Sequence, residues 1–280
     1  MEKGEIKKKN GRPYSKATIK LYRDVMSSIK LDLKNPIRST IKQLESRGAE
    51  SVTVSNYLNV VKFFLKQMNV EFTDEKIAVD EPAVYIPEPE RIWEMLKVYN
   101  PYTKQDKVAF AYIVAEALTS ARYLDISKWT HANIVKHKGQ DYLRYTQSKT
   151  GKTIQMPFPA LLRSHIIPFN GPGSRLLPLV EYRSLLRNVK AVFKKAGFTN
   201  KIQRVRIVAG KTVVEIKEEW EVMGTHRLRA AAITGMLQSG MSESEAKKFS
   251  GHSPRSNSFH RYVEFSQDHI DNKFLNYINQ

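Results

Sequence analysis

The chain contains no cysteine, which excludes disulfides, thiolate chemistry and cysteine-based zinc fingers and leaves any metal site to His and carboxylates alone. It has no apolar run of the roughly 18 residues needed to span a bilayer. The start, MEKGEIKKKNGR, lacks a signal peptide's apolar stretch. These absences predict an intracellular, cytoplasmic protein with no membrane partner. Acidic residues are in short supply: 28 Asp and Glu stand against 46 Lys and Arg, a net charge of +18. Such a surplus points to a polyanion, because each phosphate contact releases condensed counterions, and nucleic acid is the default partner.

What is present is enough for one sizeable core or two smaller ones: 280 residues, 41% of them hydrophobic. The first 14 residues read as a basic arm. Ser15 is a plausible N-cap, and Ile19, Tyr22, Met26 and Ile29 follow at helical spacing. Ser39 to Arg47 makes a short helix stopped by Gly48, and Val54, Leu58, Val61, Leu65 and Met68 give a third apolar stripe. Residues 15–75 are therefore expected to form a small helical bundle with these residues as its core. The acidic, proline-bearing stretch that follows, with Pro82, Pro87 and Pro89, places a linker at 76–88 and a second domain at 89–280.

In that second part Glu90 to Tyr99, Val108 to Leu118, Tyr182 to Ala196, His226 to Gln238 and Ser242 to Phe249 read as helices, the last with Ser242 and Glu245 as a capping box. Tyr142 to Phe158 reads as a hairpin around Thr150, Gly151 and Lys152, and Gln203 to Trp220 as another turning at Ala209 and Gly210. The expected class is mainly α with small β-hairpins (α+β).

Residues 224–263, GTHRLRAAAITGMLQSGMSESEAKKFSGHSPRSNSFHRYV, concentrate the chemistry. Three apart, His226 and Arg229 share the face of a helix start, where amide groups also favour anions. His252 can project from the turn after the next helix. Singly, each would read as an ordinary surface or hydrogen-bonded side chain.

Together they resemble the tyrosine recombinases, the phage-type and Xer-like integrases. The run H-x-L-R, an alanine-rich helix, a turn at Ser239-Gly240, a second helix, Gly-His and a Tyr about ten residues on is similar to that family's second conserved region. The first region, T-G-L-R-x-S-E-L, is matched by Thr119-Ser120-Ala121-Arg122-Tyr123-Leu124-Asp125-Ile126. The family's lysine hairpin is matched by Ser148-Lys149-Thr150-Gly151-Lys152 leading to Met156-Pro157-Phe158. The resemblance covers residues 88–280; the N-terminal bundle matches the family's core-binding domain in position, size and helicity.

The resemblance implies a site-specific DNA recombinase or integrase working without metal, ATP or cofactor. Arg122 and Arg229 would hold the phosphate's non-bridging oxygens, and Tyr262 would be the nucleophile, with His226 its base. Lys149 would be the acid for the leaving 5′ oxygen, and His252 would hydrogen-bond the phosphate. The partner would be double-stranded DNA at a specific site, with a homotetramer on two duplexes and a monomer or dimer when free. The Lys-rich, Cys-free composition looks similar to integrases of archaeal mobile elements, which act in viral or plasmid integration.

Departures from the pattern are few. Ala230 stands where a His commonly follows the second Arg. The step from His252 to Tyr262 is one longer than in Xer-type members, with Arg261 as an alternative phosphate contact. Lys152 competes with Lys149, whose distance before Pro157 favours it. The hairpin at 203–220 exceeds the usual connection and reads as an extra surface ribbon. In the family a C-terminal helix often docks on a neighbouring protomer; here Ile270, Phe274, Leu275 and Ile278 supply such a stripe. The same residue set would serve a type IB topoisomerase, and a non-catalytic DNA-binding accessory protein is the alternative from another class.

Overall fold

A computed structural model describes residues 13–75, 77, 85–166, 175–264 and 275, with backbone only at 257, 258, 261 and 264. The basic arm up to residue 12, most of the expected linker, the side chain of Arg261, and Ile270, Phe274 and Ile278 of the terminal stripe lie outside the described residues.

The chain divides into two compact units. The first holds α1 (Lys16–Ser28), α2 (Pro36–Glu45) and α3 (Ser51–Gln67). Ser15 caps α1 by accepting from the Thr18 amide at 3.1 Å, and Gly48, at φ 69°, follows the end of α2. Val25, Ile29, Ile37, Leu44, Val54, Leu58, Val61 and Leu65 form the core. Two members of the expected stripes are corrected: Ile19 and Met68 are exposed, because a stripe's outermost turns overhang what a three-helix contact can cover. Residues 203–215 belong to this unit. They come from a hairpin, β4 (Lys201–Val208) and β5 (Lys211–Glu218), turning at Ala209 and Gly210, both at positive φ as its two-residue turn requires. Val208 bridges to Glu50, and Arg206 ion-pairs with Glu50 at 3.3 Å and with Glu215. Of the segment read as a surface ribbon, residues 203–215 are thus part of the first unit and 216–220 part of the second.

The second unit is built around α5 (Lys104–Thr119), buried on all sides from Val108 to Ala115. Around it stand α4 (Pro89–Val98), α7 (Ala160–Ile166), α8 (Tyr182–Lys195) and α10 (Thr225–Gln238). After the short α6 (Tyr123–Ile126) comes an antiparallel sheet in the order β1 (Ile134–His137), β2 (Gln140–Thr146), β3 (Thr153–Pro157). Its register pairs Leu143 with Met156 and Tyr145 with Ile154. These four are buried while Arg144, Thr146, Thr153 and Gln155 face out, the period-two alternation of a sheet with one covered face. The short α9 (Glu219–Val222), α11 (Glu243–Ser250) and α12 (Asn257–Glu264) complete the unit. The α+β class is as the sequence predicts; β1, α6, α7, α9 and α12 have no counterpart in that reading, and the second hairpin ends at Glu218 rather than Trp220 because Glu219 and Trp220 begin α9.

Candidate active site

A chain reversal and a helix start bring the arginines together. α5 ends at Ser120 in the left-handed region (φ 51°), which turns the backbone and leaves Arg122 as the N-cap residue of α6. Arg229, one turn into α10, is 2% exposed. It donates from one Nη to the Ser120 carbonyl and from the other to the Ser250 carbonyl at 2.7 Å. Burial, and then the charge of Arg122, lowers its pKa to about 10, so it stays cationic at neutral pH. Arg122, His226 and Arg229 line one open cleft of ≈ 420 Å³ with Glu116, Tyr123, Tyr182 and Thr225.

Burial first, then Arg229, Arg227, Arg122 and Lys149, lowers the pKa of His226. The imidazole is therefore neutral at pH 7 and able to accept a proton. His252 follows α11, whose C-cap Gly251 adopts φ 70°. Its Nδ1 lies 2.7 Å from Ser250 Oγ and 3.4 Å from an Arg229 Nη. Burial, followed by the charges of Arg229, Arg122 and Lys152, pulls its pKa down to about 3.

Tyr262 is carried on α12 and is 6% exposed. Its ring meets that of His252 edge-on, centroids 5.8 Å apart, and that of Phe259 at 5.7 Å. It shares a small apolar cluster with Ala230, Ile233 and Ala246. The missing His at position 230 thus has a local reason: the side chain there packs in the cluster that seats the tyrosine's helix.

Lys149 stands exposed in the turn between β2 and β3, and its charge reaches His226. Lys152 is tied to the backbone of the site, its Nζ donating to the His252 carbonyl at 2.7 Å. Arg122, His226, Arg229, His252 and Tyr262 are thus gathered around the cleft and the turn behind it, with the lysine turn alongside.

Three residues were missed by sequence reasoning. Asp125 accepts from the Ser148 amide at 2.7 Å and so holds the lysine turn; it lies inside the first motif, which was the available signal. Glu116 is fully buried with neither carboxylate oxygen partnered among the described residues, and burial raises its pKa well above the usual range, against Arg229. Its signal was a lone carboxylate in the apolar run VAFAYIVAEAL. Gln147, only 1% exposed, carried no signal of its type.

Among the described residues no group of three or more His, Asp or Glu could hold a metal ion, and no helix is long and apolar enough to cross a membrane.

No family model and no curated protein matches the sequence. Solved structures do match. A lambda integrase dimer bound to a core site is similar at 13% identity and TM-score 0.62, with 90% of each chain covered. The XerH site-specific recombinase bound to its palindromic difH substrate is similar at 14% identity and TM-score 0.58, covering 94% of this chain and 80% of that one. The Tn1549 transposon integrase in complex with a circular intermediate DNA matches at 12% identity and TM-score 0.58, with 91% of each covered. The chain has the fold of the tyrosine recombinases.

Proposed function

We propose that this protein is a site-specific DNA recombinase that cuts and rejoins strands through a 3′-phosphotyrosyl link to Tyr262. One observation carries the reading: Tyr262 packs against His252, which contacts Arg229, so the only hydroxyl of α12 that could serve as an aromatic nucleophile lies beside a buried cationic fork. The net charge of +18 supplies the attraction to a polyanion.

In the proposed step the Tyr262 oxygen forms a bond to phosphorus while the bond from phosphorus to the 5′ oxygen breaks. The tyrosine proton passes to His226, and Lys149 gives a proton to the leaving oxygen, which departs as a 5′ hydroxyl. Arg122 and Arg229 hold the non-bridging oxygens, where fixed donors in a buried site stabilise developing charge. The covalent link keeps the energy of the phosphodiester, so a hydroxyl from another strand can reverse the attack and complete exchange.

The solved relatives are DNA-bound dimers and tetramers. By likeness to them we assign this chain duplex DNA as partner and a tetramer as the working assembly, with integration of a mobile or viral element as the setting.

The test is incubation with a suicide DNA substrate in chelator. A denaturation-resistant protein–DNA adduct is expected, lost in Tyr262→Phe; an adduct that persists in that variant overturns the assignment. Relaxation of supercoils without two-site exchange would instead mark a type IB topoisomerase.

A further inference from the structure

We propose that Gln147 is the positioning residue for Lys149, clipping the lysine turn onto the segment that holds Arg229 and His252. The proposal rests on Lys149 being the acid of the reaction above.

The amide of Gln147 is used at both ends. Its Nε2 donates to the Ser250 carbonyl at 3.0 Å, and its Oε1 accepts from Thr150 Oγ1 at 2.7 Å. The backbone of the same residue closes the turn, its amide donating to the Lys152 carbonyl at 2.8 Å and its carbonyl accepting from Gly151 at 2.9 Å. One side chain thus defines the turn that contains Lys149 and fastens it outward. The carbonyl it reaches is the one that Arg229 also donates to. A shift of the turn against that carbonyl is therefore a shift of the lysine relative to the arginine that would hold the phosphate.

Gly251 records how close the approach is. A Cβ there would lie 2.2 to 2.3 Å from the Gln147 amide. A flexible side-chain end could ordinarily move aside, but this amide is buried and bonded at both ends. Three further contacts dock the turn: Ser148 N on Asp125, Lys128 Nζ on Ser148 Oγ at 2.8 Å, and Lys152 Nζ on the His252 carbonyl. Among the described residues Gln147 alone spans from inside the turn to the Ser250 carbonyl that Arg229 shares.

Losing this hold displaces a proton donor without touching the arginines or the tyrosine. Misplacement by about 1 Å can lower a rate about 100-fold, within the ~10²- to 10⁴-fold that general acid catalysis contributes.

The experiment is single-turnover cleavage of two DNA substrates by the full chain: one with an ordinary 5′-oxygen leaving group, the other with sulfur at that bridging position. A thiolate leaves without needing a proton, so a defect in proton donation disappears on the sulfur substrate. Gln147→Ala is expected to slow the oxygen substrate about 100-fold and to cleave the sulfur substrate at close to the unsubstituted rate, as Lys149→Ala does. Equal slowing on both substrates, or no slowing on either, overturns the proposal. Should Gln147→Ala fail to fold, Gln147→Glu keeps the shape and the Thr150 contact but loses the donation to Ser250, and the same pattern is expected of it. A Lys149→Ala defect that sulfur leaves unrelieved removes the acid assignment, and the proposal with it; relief of Lys149→Ala but not of Gln147→Ala sinks the positioning role alone.

Discussion

Ser250 Oγ lies 2.7 Å from His252 Nδ1 and donates its own hydrogen to the Ala246 carbonyl at 2.7 Å. Nδ1 also lies 3.4 Å from an Arg229 Nη, so the serine hydroxyl and the guanidinium face the same ring nitrogen. The neutral form is the one favoured by burial and by the charges of Arg229, Arg122 and Lys152, which take the pKa to about 3.

This depression has a definite sign. In the unfolded chain an ordinary histidine binds a proton at about pH 6.5, whereas the folded site resists until about 3. The DNA-free protein therefore loses stability as pH falls through that window. A phosphate beside His252 favours the charged ring and reduces the loss. Melting temperatures measured between pH 7 and 5 should fall less steeply in His252→Gln, and less steeply in the parent when its DNA site is bound; an unchanged slope in the variant refutes the linkage.

Glu116 works in the opposite direction. Burial holds its pKa well above the usual range, against Arg229, so the folded state keeps a proton that the unfolded chain releases above about pH 4.5. The contribution to stability is present below that value and is lost as pH rises toward the folded pKa. Glu116→Gln is expected to melt higher than the parent at pH 8, with the gap closing toward pH 5. A gap that widens toward acid would show the carboxylate to be ionised in the fold.

Ser120 occupies the left-handed turn before Arg122 at φ 51°, is fully buried, and has no partner for its hydroxyl among the described residues. Glycine removes both the strain of a side chain in this region and the buried hydroxyl. Ser120→Gly should raise stability by about 1 kcal/mol, read as a shift in denaturant midpoint at constant slope. Destabilisation would mean that the hydroxyl has a function in the fold.

Gly251→Ala should do more harm than its backbone alone predicts. The φ of 70° accounts for about 1 kcal/mol; the clash with the Gln147 amide adds displacement of the lysine turn. Cleavage of the oxygen substrate should fall by more than tenfold while most molecules remain folded by circular dichroism. A stability loss with unimpaired cleavage in the folded fraction would separate Gly251 from catalysis.

Much of this protein was legible in its sequence because the signals are local. The 3.6-residue apolar period located α1 and α3, and the Ser242–Glu245 pair announced a capping box that the structure contains. Gly210 marked its turn by the positive φ that glycine tolerates, which Ala209 shares at a cost. The arginines, histidines and tyrosine could be named from motif order. The short elements β1, α6, α7, α9 and α12 escaped, since four to eight residues give too few periods to read.

The sequence by itself determined which side chains are available and on which elements they ride, because helix and turn preferences depend on near neighbours. Only the tertiary structure decided what those side chains experience. That Ser250 offers its carbonyl to both Arg229 and Gln147, that Ala230 packs in the cluster seating Tyr262, and that Glu116 is sealed without a partner among the described residues depend on residues far apart in the chain meeting. Burial and long-range contact set the charge state and position of a group, and neither is written in its immediate neighbours.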